Sequence, residues 1–363
     1  MQHIYSQFRI EGTPILCSPF GGGHINRTYL LVTNAPRLYI LQSMNSSIFK
    51  DIPGLMANVM AVCAHLQGKV EDPRGAMRII PTVEGASYLA LPDKTAPDST
   101  AWWRMFDYIP GGVCLDLPES AEDLRQTGVA FGAFQNQLAD FPAETLTETI
   151  PHFHDTPDRY RQLREAIRED RAGRLHLVQA EVEKLLAYEA DGGYLMGLLA
   201  EGRLPLRVTH NDTKLNNVML DAATRTPLCV MDLDTVMPGL AANDFGDAIR
   251  TGAATAAEDE TDLSRVGMSL EMYRAFTEGF LGACGHSLTP LEIETLPWGA
   301  KLMTLENAVR FMTDHLNGDV YFQIHRENHN LDRCRAQLAL VADMERQWDG
   351  MCRVVQEVMK TLV

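Results

Sequence analysis

One stretch constrains the fold of this chain more than any other. Residues 206–234 form a β-like island inside a half that otherwise reads as helix. Two apolar runs, 217–220 and 228–231, have strand character and are separated by turn residues. Before the first run stands His210-Asn211-Asp212-Thr213-Lys214-Leu215-Asn216-Asn217, and the second leads into Asp232-Leu233-Asp234. The polar positions spell HxDxxxxN, with a further Asp 20 positions after the first. Carboxylates and an amide thus sit on loops flanking a short hairpin.

Phosphoryl transfer from ATP explains that order. The γ-phosphoryl group passes through a loose transition state, so catalysis is chiefly positioning and charge neutralisation. One carboxylate must orient the acceptor hydroxyl and take its proton, and Asp212 fits. An amide and a second carboxylate must hold Mg²⁺, a hard cation that takes oxygen ligands, and Asn217 and Asp232 fit. Lys214 is placed to neutralise the transferring group, and His210 to hold the loop. Asp234 is either a further metal ligand or a substrate or structural residue. Asp244-Phe245-Gly246 spells DFG but lies 32 residues after Asp212, too far for a metal ligand. Asp244 is expected instead to cap a helix or to brace the catalytic loop through its amides.

Around the island, residues up to about 110 read mostly as strands: 28–32, 38–44, 77–82, 87–91 and 101–108. One helix interrupts them, with Pro53 in its first turn and Leu55, Val59, Val62 and Leu66 on one face. Ile109-Pro110-Gly111-Gly112 breaks the pattern, so the expected division is 1–110 and 111–363. Beyond it, Leu124, Phe131, Phe134 and Leu138 share a helical face, and a long apolar stripe runs from Leu331 to Val355. The outline is α+β: a small β-rich N-terminal lobe, a short hinge and a larger, mainly helical C-terminal lobe.

Charge narrows the partners. Lys and Arg number 32 against 48 Asp and Glu, and 32 − 48 = −16. Such a surface repels nucleic acid and anionic lipid. Seven cysteines without a CxxC pair argue against a disulfide framework or a zinc knuckle. A polar N-terminus and the lack of a spanning apolar run point to the cytoplasm. No obligate protein partner is indicated. His152, His154, His325 and His329 lack a metal-binding pattern and read as surface or structural histidines.

Phe20-Gly21-Gly22-Gly23-His24-Ile25-Asn26 precedes the strand-like 28–32. Glycines let backbone N–H groups approach phosphate closely, because no Cβ intervenes. A dinucleotide fold wants a helix after its glycines, and no GxxxxGK[ST] occurs. Gly21, Gly22 and Gly23 therefore read as a flap over a triphosphate, with a plain glycine-rich hairpin as the alternative.

The chain resembles the aminoglycoside phosphotransferase/choline kinase superfamily and, within it, the N-acetylhexosamine 1-kinase branch. The resemblance is carried by GGGHINRTYL, YILQSMNSSIF, LTETIPHFHDTP, LRVTHNDTKLNN, MDLDTVMPG, DFGDAIR and NAVRFMTDHLNGDVYF. It implies a bilobal protein-kinase-like fold, nucleotide binding in the N-terminal lobe, and MgATP-dependent phosphorylation of the anomeric hydroxyl of N-acetylglucosamine or N-acetylgalactosamine. His24, Asp212, Arg310 and Tyr321 would then meet the sugar, and the strand 104–108 would meet adenine through its main chain. Gln42 departs from the usual pattern, since protein kinases carry a phosphate-binding lysine on this strand. An uncharged amide there shifts neutralisation toward Mg²⁺, although the N-acetylhexosamine kinase branch resembles this chain in that glutamine. Kinases of choline, homoserine or aminoglycosides, and a nucleotide-binding pseudokinase, are the competing readings.

Overall fold

A computed structural model describes residues 1–21, 25–93 and 99–362. After a short helix α1 (Gln2–Tyr5), strands β1 (Pro14–Pro19), β2 (Arg27–Thr33), β3 (Leu38–Met44), β4 (Leu89–Pro92) and β5 (Thr100–Asp107) build the first lobe. They form an antiparallel sheet in the order β1-β2-β3-β5-β4. Helix α2 (Ile52–Gln67) covers one face, opened by Asp51, whose side chain accepts from the Gly54 N–H at 2.9 Å. Leu31, Tyr39, Leu41, Trp103 and Met105 pack with Ile4 and Phe8 on the other face.

Strand alternation decides what points at α2. Because Leu41 and Met105 face the layer of Ile4 and Phe8, Gln42, Arg104 and Phe106 face the helix. The helix is fastened to the second lobe. Asn58 donates to the Thr147 and Val236 carbonyls at 2.8 and 3.0 Å and accepts from the Thr147 N–H at 2.9 Å.

Residues 77–82, expected as a strand, are irregular. Ile80 N–H donates to the Met105 carbonyl of β5 and Asp107 N–H of β5 donates back to the Arg78 carbonyl, but Pro81 has no N–H to give, and isolated bridges at Ile79 and Thr82 are what survive.

The second lobe holds β6 (Gly112–Cys114), paired with β8 (Val218–Asp221), which pairs with β9 (Pro227–Val230). A second pair joins β7 (Arg207–Thr209) to β10 (Met237–Gly239). Around them lie α3 (Ala121–Gln137), α4 (Thr156–Glu169), α5 (Gln179–Ala187), α6 (Glu189–Gly192), α7 (Tyr194–Ala200), α8 (Ala241–Gly252), α9 (Leu270–Cys284), α10 (Pro290–Asn317), α11 (His329–Arg346) and α12 (Trp348–Leu362). The expected C-terminal stripe is thus two helices, broken at Gln347. Helices α8 and α10 touch backbone to backbone: a Cβ on Gly246 would stand 2.1 Å from the Gly299 carbonyl oxygen. No helix among the described residues is long and apolar enough to cross a membrane.

Candidate active site

Strand β7 ends at Thr209 and delivers the HxDxxxxN loop, which is braced from below by α8. Asp244, fully buried, accepts the His210 and Asn211 N–H groups at 2.8 and 2.7 Å and the Gln135 amide at 2.7 Å. Asp247 accepts the Thr213 N–H at 3.0 Å. These bonds are what fix Asn211 in the left-handed region, at φ 64°. Asp244 therefore braces the loop and does not cap α8, whose N-cap is Leu240. Phe245 packs against Tyr273, Phe276 and Phe280, and Gly246 makes the α8–α10 contact. All three letters of the DFG string are accounted for, Asp244 by its hydrogen bonds and Phe245 and Gly246 by packing. His210 lies between Phe131 and Phe134, with Nε2 2.8 Å from the Met231 carbonyl oxygen, tying the loop to the end of β9.

Above the brace, Asp212, Lys214 and Asn217 meet. Lys214 Nζ is 2.7 Å from Asp212 Oδ1, and Asn217 Nδ2 donates to the Asp212 carbonyl and Oδ2 at 2.8 and 3.1 Å. Burial works against the Lys214 charge, but Asp212 and Asp247 outweigh it and hold its ammonium above the usual lysine range.

Asp232 follows β9 in the left-handed region, at φ 55°. Burial, and then the neighbouring Asp234 charge, push its carboxyl up to about 6. A carboxylate made uncomfortable by burial and by other acids is what a divalent cation relieves. Asn217, whose amide nitrogen is turned to Asp212, has its side-chain oxygen to offer. The donor set suits Mg²⁺.

Asp234 is committed elsewhere. Arg104 grips it through both terminal nitrogens, with Nη2 2.9 Å from Oδ2, and Asn26 Nδ2 donates to the same oxygen at 2.7 Å. Arg104 Nε donates to Gln42 Oε1 at 2.9 Å, and Gln42 donates in turn to Thr28 at 3.1 Å. The pair is 2% and 5% exposed. Asp234 is thus the acceptor of an inter-lobe ion pair. Arg104 was expected to matter only through its main chain. Its signal in the sequence was the lone charge in the run Ala101-Trp-Trp-Arg-Met-Phe106.

Gly21 stands at φ 72° ahead of β2, beside Phe20, whose ring meets Tyr108 edge-on at 6.3 Å. Gly22, Gly23 and His24 lie outside the described residues.

A second cluster reaches the loop at Asn211, the residue before Asp212. Arg310 lies over the rings of Phe322, Tyr321 and Phe153 at 5.3, 5.9 and 6.0 Å, and contacts Asn307 Oδ1 at 3.3 Å. Tyr321 is 67% exposed. Arg159, absent from the sequence expectations, donates to the Phe153 carbonyl at 2.7 Å while its buried Nε has no partner. Burial, and then the Arg310 charge, depress its guanidinium. Nothing in the arginine-rich pattern of α4 marked this one. Among the described residues no carboxylate forms an ion pair with Arg159 or Arg310. His154 joins this cluster to the catalytic loop, with Nε2 3.1 Å from the Asn211 carbonyl oxygen and Nδ1 3.0 Å from Glu306. It is structural but buried. His152 is exposed beside Asp155, and His329 is buried against Asp259.

The likeness to known proteins agrees with this geometry. The model of a family described as the APH, phosphotransferase enzyme family matches residues 17–276, more than half of the chain. A microcompartment-associated aminopropanol kinase is similar in structure at 15% identity and a TM-score of 0.59, over 96% of this chain and 97% of that one. An amicoumacin kinase in complex with AMP-PNP, Ca²⁺ and Ami matches at 13% identity and 0.60, over 92% and 91%. An ethanolamine kinase of Plasmodium vivax matches at 14% identity and 0.52, over 89% and 82%. At such identities the likeness is one of fold, and it is a protein-kinase-like fold with an antiparallel sheet in the N-terminal lobe and a helical C-terminal lobe.

Proposed function

The chain belongs to the phosphotransferase enzyme family, and on that premise we propose that it phosphorylates the anomeric hydroxyl of an N-acetylhexosamine with MgATP. The observation that carries this reading is the acceptor side of Asp212. Two guanidiniums, Arg159 and Arg310, stand there with no carboxylate at ion-pair distance among the described residues, beside the rings of Phe153, Tyr321 and Phe322, and feel the charge of Glu306 only at longer range. The buried Glu306 is engaged by His154 and by Thr156 at 2.9 Å. A cationic acceptor such as choline, ethanolamine or an aminoglycoside would meet like charge here. A neutral sugar supplies what the site lacks: hydroxyl and acetamide oxygens that accept from guanidinium, and a ring face for the aromatic side chains.

The chemistry would run as follows. Asp212 orients the anomeric hydroxyl and takes its proton as the sugar oxygen bonds to the γ-phosphorus and the bond to ADP breaks. Lys214, poised on Asp212, offsets charge on the transferring group. Asn217 both steadies Asp212 through its amide and, with Asp232, would hold Mg²⁺. The bound ion supplies charge neutralisation at the phosphates.

The test is ADP release with N-acetylglucosamine, N-acetylgalactosamine, simple hexoses, choline, ethanolamine and an aminoglycoside, followed by NMR of the product. Turnover of an N-acetylhexosamine with phosphate on its anomeric oxygen is expected. Turnover confined to an amine, or phosphate on another hydroxyl, would overturn the reading.

A further inference from the structure

In protein kinases a lysine on the third strand holds the phosphates and is anchored by a glutamate on the neighbouring helix. Both members are missing here. Strand β3 carries Gln42, and the 16 residues of α2 contain no Asp or Glu. Yet the position is not without a cation. Arg104 is the cross-strand partner of Gln42, lies on the same face of the sheet, and is 2% exposed. Its guanidinium joins three segments that must converge on a triphosphate. It bonds Gln42 directly, grips Asp234 two residues beyond Asp232, and through Asp234 reaches Asn26 at the end of the glycine run.

Of the five N–H groups of an arginine, three serve Gln42 and Asp234. Of the remaining two, one belongs to Nη1, whose other contact among the described residues is the buried sulfur of Met56, at 3.9 Å. The charge balance points the same way. Without Arg104, this floor of the cleft presents Asp212, Asp232 and Asp234 to a polyanion, and Lys214 offsets one of those three charges.

We propose that Arg104 is the phosphate-binding cation of this chain, with Asp234 as its anchoring carboxylate and Gln42 as the spacer that lets it reach. The pair lysine–glutamate has been replaced by arginine–aspartate, and both members have moved to new strands and loops. The proposal rests on the reading of the cleft as an ATP site.

Calorimetric titration of ATP and of adenosine into the wild type and Arg104→Met separates the possibilities. Failure of the wild type to bind ATP would refute the nucleotide site itself. Given that binding, Arg104→Met is expected to weaken ATP by about 10- to 100-fold, the range of a charged hydrogen-bond contact, and to leave adenosine unchanged. Equal losses for both ligands, or none for ATP, would overturn the proposal. The double variant Gln42→Lys with Arg104→Gln returns the charge to β3 and remains informative even where Arg104→Met does not fold. It is expected to recover the wild-type preference for ATP over adenosine, and a preference still lost would also overturn the proposal.

Discussion

The two sides of Asp212 treat arginine in opposite ways. Toward the sheet, Arg104 is gripped by Asp234 and Gln42 and nearly sealed from water. Toward α4 and α10, Arg159 and Arg310 face aromatic rings, amide and carbonyl, with no ion pair among the described residues. A buried ion pair resists rupture, because removing one partner strands the other, at roughly 3–5 kcal/mol. It suits a part whose geometry must be ready before a ligand arrives. Guanidiniums with no acid at hydrogen-bonding distance have donors to spare, and suit a part whose ligand supplies acceptors.

Four measurements sharpen or break that contrast. Asp212→Asn removes the point where the two sides meet. It should lower kcat by about 10³-fold, within the usual range for a general base, while calorimetry still detects both ligands. A wild-type rate would remove Asp212 from the reaction. Gly246→Ala strikes the brace beneath both sides, since its Cβ would meet the Gly299 carbonyl at 2.1 Å. A loss of about 3 kcal/mol in denaturant unfolding is expected, with sugar and nucleotide binding weakened in step. Loss on one side alone would show that the brace is not shared.

Arg310→Ala acts on the acceptor side only. The sugar KM should rise about 10-fold with the ATP KM unchanged. A rise in the ATP KM instead would end the division of labour.

The smallest effect is in pH. Burial opposes the charge of His154, but Glu306 and the Asn211 carbonyl raise its value above the ordinary 6.5. Burial also opposes the charge of Glu306, but His154 and the two arginines hold it below the ordinary 4.5. The histidine contribution is complete below 6.5 and fades as pH climbs through its folded value. The glutamate contribution is complete above 4.5 and fades as pH falls through its own. Melting temperature should therefore peak between these limits, and His154→Asn should flatten the alkaline fall. An unchanged alkaline limb would show that the pair is not charged.

Legibility followed the range of the interactions. The helix 52–67 and strands 38–44, 218–221 and 227–230 are local patterns, read to within a residue or two. That Asp212, Lys214 and Asn217 meet was legible because fixed spacing across a hairpin fixes geometry. Residues 77–82 misled because alternation says nothing of Pro81, and β1 passed unseen because its alternation is weak. Arg104 and Asp234 are 130 residues apart and Asn26 and Asp234 are 208 apart. No periodicity joins them. Arg159 likewise differs from its neighbours only in what tertiary packing places around it.

Helix α2 settles a question of control. In protein kinases the helix at this place swings, and its glutamate carries the on and off states. Here α2 has no acid to carry, and Asn58 ties it to Thr147 and Val236 of the other lobe. A modification or a partner acting on α2 would find no such lever to pull.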